Sequence, residues 1–174
     1  MICIMDVSGS MSFEHKDIAK RFFLLLYLFL QKNYEKVELV FIRHHTESKE
    51  VTEKEFFEGK ESGGTIVLPS LVLANKIIDE RYSLKDWNVY CCQASDGDVW
   101  GKEDSEACKN MVENTLLKKL QYMAYIDIQP NESENISDLF TAYDDISSEK
   151  FAAKIIEEVG DIWRVFKSLF KKKN

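Results

Sequence analysis

Short apolar runs of strand length alternate along this sequence with longer runs of helical period, and no other feature constrains the fold so tightly. "ICIMD", from residue 2, reads as a short buried strand. Residues from about His15 to Lys32 read as a long helix, apolar almost all round and therefore central. Leu24, Leu25, Leu26 and Leu28 of that helix are all expected out of water. "KVELVFIRH" is a strand with "SKEVT" as its short hairpin partner, and "IVLPSLVLANKIIDERY" is a helix that tolerates Pro69 in its first turn. "WNVYCCQAS" is a second buried strand, "EDSEACKNMVENTLLKKL" an amphipathic helix and "YMAYIDIQ" a further strand. Beyond them "DLFTAYDDI" reads as a short helix and "KFAAKIIEE" fits strand or helix. "DIWRVFKSLFKK" is a closing helix with Asp161 as its cap. Strands alternating with helices predict an α/β fold: a doubly wound, mostly parallel central sheet of about six strands, with helices on both faces.

The bulk numbers narrow the function. At 174 residues the whole chain, 1–174, reads as one domain with room for a substantial core. A net charge of -7 and a pI near 5.1 argue against a nucleic-acid surface, which wants clustered Lys and Arg; only the tail "KKKN" is basic. "FFLLLYLFL" is too short for the roughly 30 Å of a bilayer core and has charged residues close on both sides, so no membrane association is expected. The four cysteines show no metal-ligand spacing, and the adjacent Cys91 and Cys92 must point to opposite faces of a strand. They read as reduced core thiols of a cytoplasmic protein. The triplets "NES" and "NIS" carry no weight without a secretory signal. A buried-strand pattern starting directly after Met1 is unusual, and the domain is expected to be the carboxyl-terminal part of a longer protein.

Two of the strands end in polar, glycine-containing turns. "IMDVSGSM" brings Asp6, Ser8 and Ser10 to the end of the first, and "CCQASDGD" brings Asp96 to the end of the other. Asp and Ser are also favoured helix N-caps, so a capped helix start would account for the first turn alone. A third turn, "ESGGTIV", places Thr65 at a helix start after two glycines that let backbone approach closely. If the two strands are neighbours, Asp6 and Asp96 converge at the carboxyl edge of the sheet, where α/β folds bind ligands.

Two carboxylates and three hydroxyls, without His or Cys, suit Mg2+ or Mn2+. Hydroxyl ligands leave such an ion electrophilic, so a vacant position can accept an acidic side chain from a protein partner. No residue nearby has an assignable role as nucleophile or general base, and "DVSGS" lacks the second Asp of an aspartate-nucleophile phosphatase. No catalytic residue is assigned. The alternative is a metal-dependent hydrolase or phosphatase using the same oxygen ligands. His44 and His45 face opposite sides of their strand and are read as packing residues, with a contact at the rim of the binding face as the other possibility. Asp98 reads as a loop residue or a hydrogen-bond acceptor behind the ligands, and Trp100 as either an exposed interface anchor or core.

DxSxS, a later Thr after glycines and a later Asp-Gly after a strand resemble the metal-ion-dependent adhesion site of von Willebrand factor A domains. Asp6, Ser8, Ser10, Thr65 and Asp96 match those five positions in order. "DVSGSM", "AKRFFLLLYLFL", "IRHHT", "EFF", "GGTIV" and "QASDGD" together resemble the bacterial YeaH/YhbH family over nearly the whole chain. The resemblance implies a Rossmann-type three-layer sandwich with Ser8 and Ser10 as direct ligands. Thr65 and Asp96 would ligate directly or through water, and Asp6 would hold a coordinated water. It also implies an additional amino-terminal region in full-length members and a cytoplasmic role in stress or sporulation. The implied partner is a PrkA-type serine kinase, for which this domain would be an adaptor or regulatory subunit.

Overall fold

Ile2, Cys3, Ile4 and Met5 are apolar on both faces of an extended segment, a pattern that is stable only where helices cover both sides. In the computed structural model, which describes residues 1–59, 63–130 and 136–170, that segment is β1 (Ile2–Asp6), and it is buried throughout. The chain continues through α1 (Phe13–Asn33), β2 (Val40–His44), β3 (Ser48–Val51), α2 (Glu53–Glu58), α3 (Leu68–Arg81) and β4 (Tyr90–Ser95). It closes with α4 (Lys102–Asn114), β5 (Tyr122–Ile128), α5 (Asp138–Asp144), β6 (Phe151–Ile156) and α6 (Asp161–Phe170). Among the described residues the strands form one six-stranded sheet in the order β3-β2-β1-β4-β5-β6. All neighbours are parallel except the β2–β3 hairpin, so the expected doubly wound α/β architecture is present.

The strand order places the switch point at β1. Its neighbour on one side is β2, reached through α1, and on the other side β4, with Asp6 opposite His44 and Met5 opposite Ala94. The carboxyl ends of β1 and β4 are therefore adjacent.

Each sheet face has its own apolar cluster. One holds Ile4, Ile42, Cys91 and Tyr125 beneath α3, α4 and α5; the other holds Met5, Phe41, Cys92 and Ile126 beneath α1 and α6. Cys91 and Cys92 thus point to opposite faces, and all four cysteines are buried and free.

Several local expectations are corrected. α1 is not buried all round: Ile18, Ala19, Phe22, Phe23, Leu26 and Leu30 face inward at helical spacing, while Leu24 is 49% and Leu28 54% exposed. Only one face of this helix meets the sheet and α6. The predicted helix from 103 to 120 breaks at Thr115, a non-helical residue followed by a 3-10 turn (Leu116–Lys118) that buries Leu116 and Leu117. The strand read from "KVELVFIRH" is regular only from Val40. A capped helix, α2, occupies "EKEFFE", where no element was expected; Thr52 and Glu55 form its capping box. "KFAAKIIEE" resolves to strand β6, which pairs along its whole length with β5, from Met123 opposite Phe151 to Ile128 opposite Ile156. Asp161 begins α6 but does not cap it; its carboxylate accepts from the backbone N–H groups of Glu157 and Glu158 instead. The "KKKN" tail, the "NES" triplet and Asn135 of "NIS" lie outside the described residues. No helix among the described residues is long and apolar enough to cross a membrane.

Candidate metal centre

The loop after β1 is held by its own backbone. Asp6 ends the strand fully buried and its Oδ1 accepts from the Ser8 N–H at 2.7 Å, an Asx-type turn that reverses the chain. The turn brings the Ser8 and Ser10 hydroxyls 3.0 Å apart. Ser12 then caps α1, and His15 reaches back to the Ser12 N–H at 3.2 Å. The helix cap is thus Ser12, one residue beyond the stretch, and Asp6, Ser8 and Ser10 do not cap α1.

Thr65 arrives from far along the chain. The Gly9 N–H donates to the Gly63 carbonyl at 2.7 Å, Gly64 N–H to Thr46 Oγ1 at 3.0 Å, and Ile66 N–H to the His45 carbonyl at 2.9 Å. A Cβ on Gly63 would lie 2.7 Å from His45 Nδ1, so glycine is needed for this approach. The docked Thr65 is 5% exposed, with its hydroxyl 3.5 Å from that of Ser10.

Asp96 follows β4. The Asp98 N–H donates to its Oδ1 at 3.1 Å, and the Asp98 side chain is exposed. Burial raises the Asp96 carboxyl above the ordinary range, Asp6 adds to this by like-charge repulsion, and Ser10 draws it back. Asp6 is pushed up to about 6, chiefly by burial, against the pull of its Ser8 hydrogen bonds and of Lys16. All five residues meet at the carboxyl edge of the sheet, over the switch point.

Beneath Asp96 lies a polar network that the sequence reading missed. Asp127 on β5 is fully buried and accepts from Tyr125 (3.1 Å), Gln129 (3.1 Å) and Ser137 (2.9 Å), the last being the N-cap of α5. Gln129 also donates to the Asp96 carbonyl at 3.0 Å, and Gly97 N–H donates to Ser95 Oγ, itself 2.9 Å from the Tyr125 hydroxyl. Gly97 has φ +73°, and a Cβ there would lie 2.0 Å from Ser137 Oγ. The loop bearing Asp96 is thus clamped to β5 and α5. The available signal was one acid inside the apolar run "YMAYIDI".

The histidines divide as their alternation requires. His44 is fully buried beside the centre, neither ring nitrogen makes a hydrogen bond of ordinary geometry, and burial pushes it down to about 4. His45 is partly exposed, and its Nδ1 accepts from the Thr46 N–H at 2.7 Å. Trp100 is 77% exposed, which excludes the core reading.

The donors fit a hard cation. Asp6 Oδ2 is buried with no hydrogen-bond partner, an arrangement that costs on the order of 1–3 kcal/mol for a polar atom and more for a charged one. A divalent ion or its bound water would satisfy it. No group of three or more His, Cys, Asp or Glu gathers among the described residues. The binding capacity here rests on two carboxylates supplemented by hydroxyls.

Comparison with known proteins agrees with the fold and defines the family. The family model described as "Protein of unknown function (DUF444)" matches residues 1–173. A "UPF0229 protein" from Chromohalobacter salexigens is 53% identical over 173 residues, covering 99% of this chain and 40% of the relative. The chain therefore spans about two fifths of that relative's length. Among solved structures, proximal thread matrix protein 1 from the mussel byssus, with a zinc-occupied MIDAS motif, superposes with TM-score 0.62 at 13% identity, over 97% of this chain and 46% of the other. Manganese-loaded TRAP protein of Plasmodium vivax gives 0.63 at 12% identity, over 97% and 72%. These are von Willebrand factor A folds, and at such identities the likeness concerns the fold alone.

Proposed function

This chain belongs to the DUF444 family, and from that premise and the geometry of the centre we propose that it is a divalent-metal-dependent protein-binding module. Asp6, Ser8, Ser10, Thr65 and Asp96 would hold Mg2+ or Mn2+, and the ion would offer its open position to an acidic side chain of a protein partner. The observation that carries this reading is the buried, unpartnered Asp6 Oδ2 beside three converging hydroxyls. Support comes from the two structural neighbours that carry zinc or manganese. Such an ion supplies electrostatic attraction for a carboxylate; the protein's part is to fix the loop that presents it. Binding is favoured over hydrolysis because the surrounding donors bury and orient charge, and none is placed to activate a nucleophile.

In the whole protein we assign this module an adaptor or regulatory role in a cytoplasmic stress- or sporulation-related system, with a PrkA-type serine kinase as the partner to try first. That wider role rests on the YeaH/YhbH resemblance of the sequence. The test is metal binding by Mn2+ electron paramagnetic resonance, followed by pull-down of a PrkA-type kinase with and without EDTA. Asp6→Ala is expected to weaken Mn2+ binding at least about tenfold, a loss of about 1.4 kcal/mol. The same change and EDTA should each abolish the pull-down. Equal kinase binding in EDTA would show that the metal is not the anchor.

A further inference from the structure

Thr65 stands on the wall of a second feature that metal binding leaves unused. A cleft of about 150 Å3 opens beside it, between the segment leading into α3 and the β4–α4 loop. Ile66, Leu68 and Pro69 line one side, Val99 and Trp100 the other, and Asp104 stands at its edge. Trp100 and Ile66 are 77% and 37% exposed. Gly101, at φ +94°, donates its N–H to the Val99 carbonyl at 2.8 Å, so the tryptophan sits at the apex of a three-residue turn.

We propose that this cleft is the specificity pocket of the binding face, taking one apolar side chain from the same partner segment whose acidic residue reaches the metal. The proposal rests on the binding-module reading above. Thr65 belongs to both cleft and centre, so a chain engaged at one is within a residue or two of the other. The volume suits a single side chain and is below the roughly 300–1,000 Å3 of small-molecule sites. The walls are apolar, while Asp104 and the chain's net charge of -7 repel a second carboxylate. Phe13, 88% exposed at the start of α1, and Ile136, 62% exposed just before α5, add apolar surface at the same edge of the sheet. The partner motif is therefore an acidic residue flanked by a leucine- or phenylalanine-like one.

The probe is an array of Gly/Ser heptapeptides with a central Glu, each flanking position carrying Leu, Phe, Ser or Asp in turn, incubated with the domain in Mg2+. A Leu or Phe at one flank should raise retention about tenfold over Ser, within the range one apolar group earns in a pocket, and Asp should lower it. Trp100→Ala and Ile66→Ser should each erase that preference while Mn2+ binding by electron paramagnetic resonance stays unchanged. Equal retention of all flanks, a preference that survives both variants, or no peptide held by a domain that does bind Mn2+ would each overturn the proposal. If Mn2+ fails to bind, or EDTA fails to release retained peptides, the binding-module reading falls and this one with it.

Discussion

Asp6 is the residue on which the centre turns, and its protonation gives the stability of the metal-free domain a definite pH dependence. Its carboxyl lies near 6 in the fold, against roughly 3.9 in an unfolded chain. A raised carboxyl means the folded state holds the proton more tightly. Its contribution is fully present below about pH 4 and is lost as pH rises through 6. At roughly 1.4 kcal/mol per pKa unit the loss is about 3 kcal/mol at most. Asp127, also pushed up to about 6 by burial, acts in the same direction. Asp6→Asn removes the charge but keeps an oxygen for the Ser8 N–H. In EDTA the variant should melt several degrees above wild type near pH 8 and at the same temperature near pH 4. If the wild type binds Mn2+ as proposed, Mn2+ should raise its melting temperature and leave that of Asp6→Asn unchanged. Buried His44, pushed down to about 4, acts the other way as pH rises through its ordinary range, so the readout is the difference in Tm between Asp6→Asn and wild type. A difference that does not grow between about pH 4 and pH 8 in EDTA would contradict this account.

At the scale of elements, α1 shows how an apolar sequence overstates burial. Leu26 is 1% exposed, packed between the sheet and α6, whereas Leu28 two positions on projects into water. Leu26→Ala should cost about 2–5 kcal/mol in urea unfolding, with Leu28→Ala within about 0.5 kcal/mol of wild type. Comparable losses from both would mean that the outer face of α1 is covered. The β4–α4 loop makes the converse point. It has little regular structure, yet Gln129 ties it to the buried Asp127, which Ser137 in turn links to α5.

Across the whole molecule, two separate cores share the thiols: Cys3 and Cys92 on one sheet face, Cys91 and Cys108 on the other. Burial pushes Cys3 and Cys108 up to about 12, and Cys91 and Cys92 upward as well, far from the thiolate that reacts. Ellman's reagent should therefore detect no thiol in the native domain and four after denaturation. Release of one or two native equivalents would show that one core opens independently of the other.

Period and turn chemistry are properties of residues close in sequence, and those were readable directly. They include the alternation of strands and helices, the buried character of "ICIM", the opposite facing of Cys91 and Cys92, and the Asp6-Ser8-Ser10 turn. What sequence neighbours cannot show is which strand ends meet. That depends on strand order, set by covering two apolar sheet faces with right-handed crossovers. Only that order put β1 between β2 and β4, so that Asp6, Thr65 and Asp96 share one edge across 90 residues of chain. "KFAAKIIEE" became a strand for the same reason: β5 offered it an open parallel edge. Asp127 was hidden because the value of a buried carboxylate lies in its donors, and Gln129, Tyr125 and Ser137 converge on it only once β5 and α5 have packed.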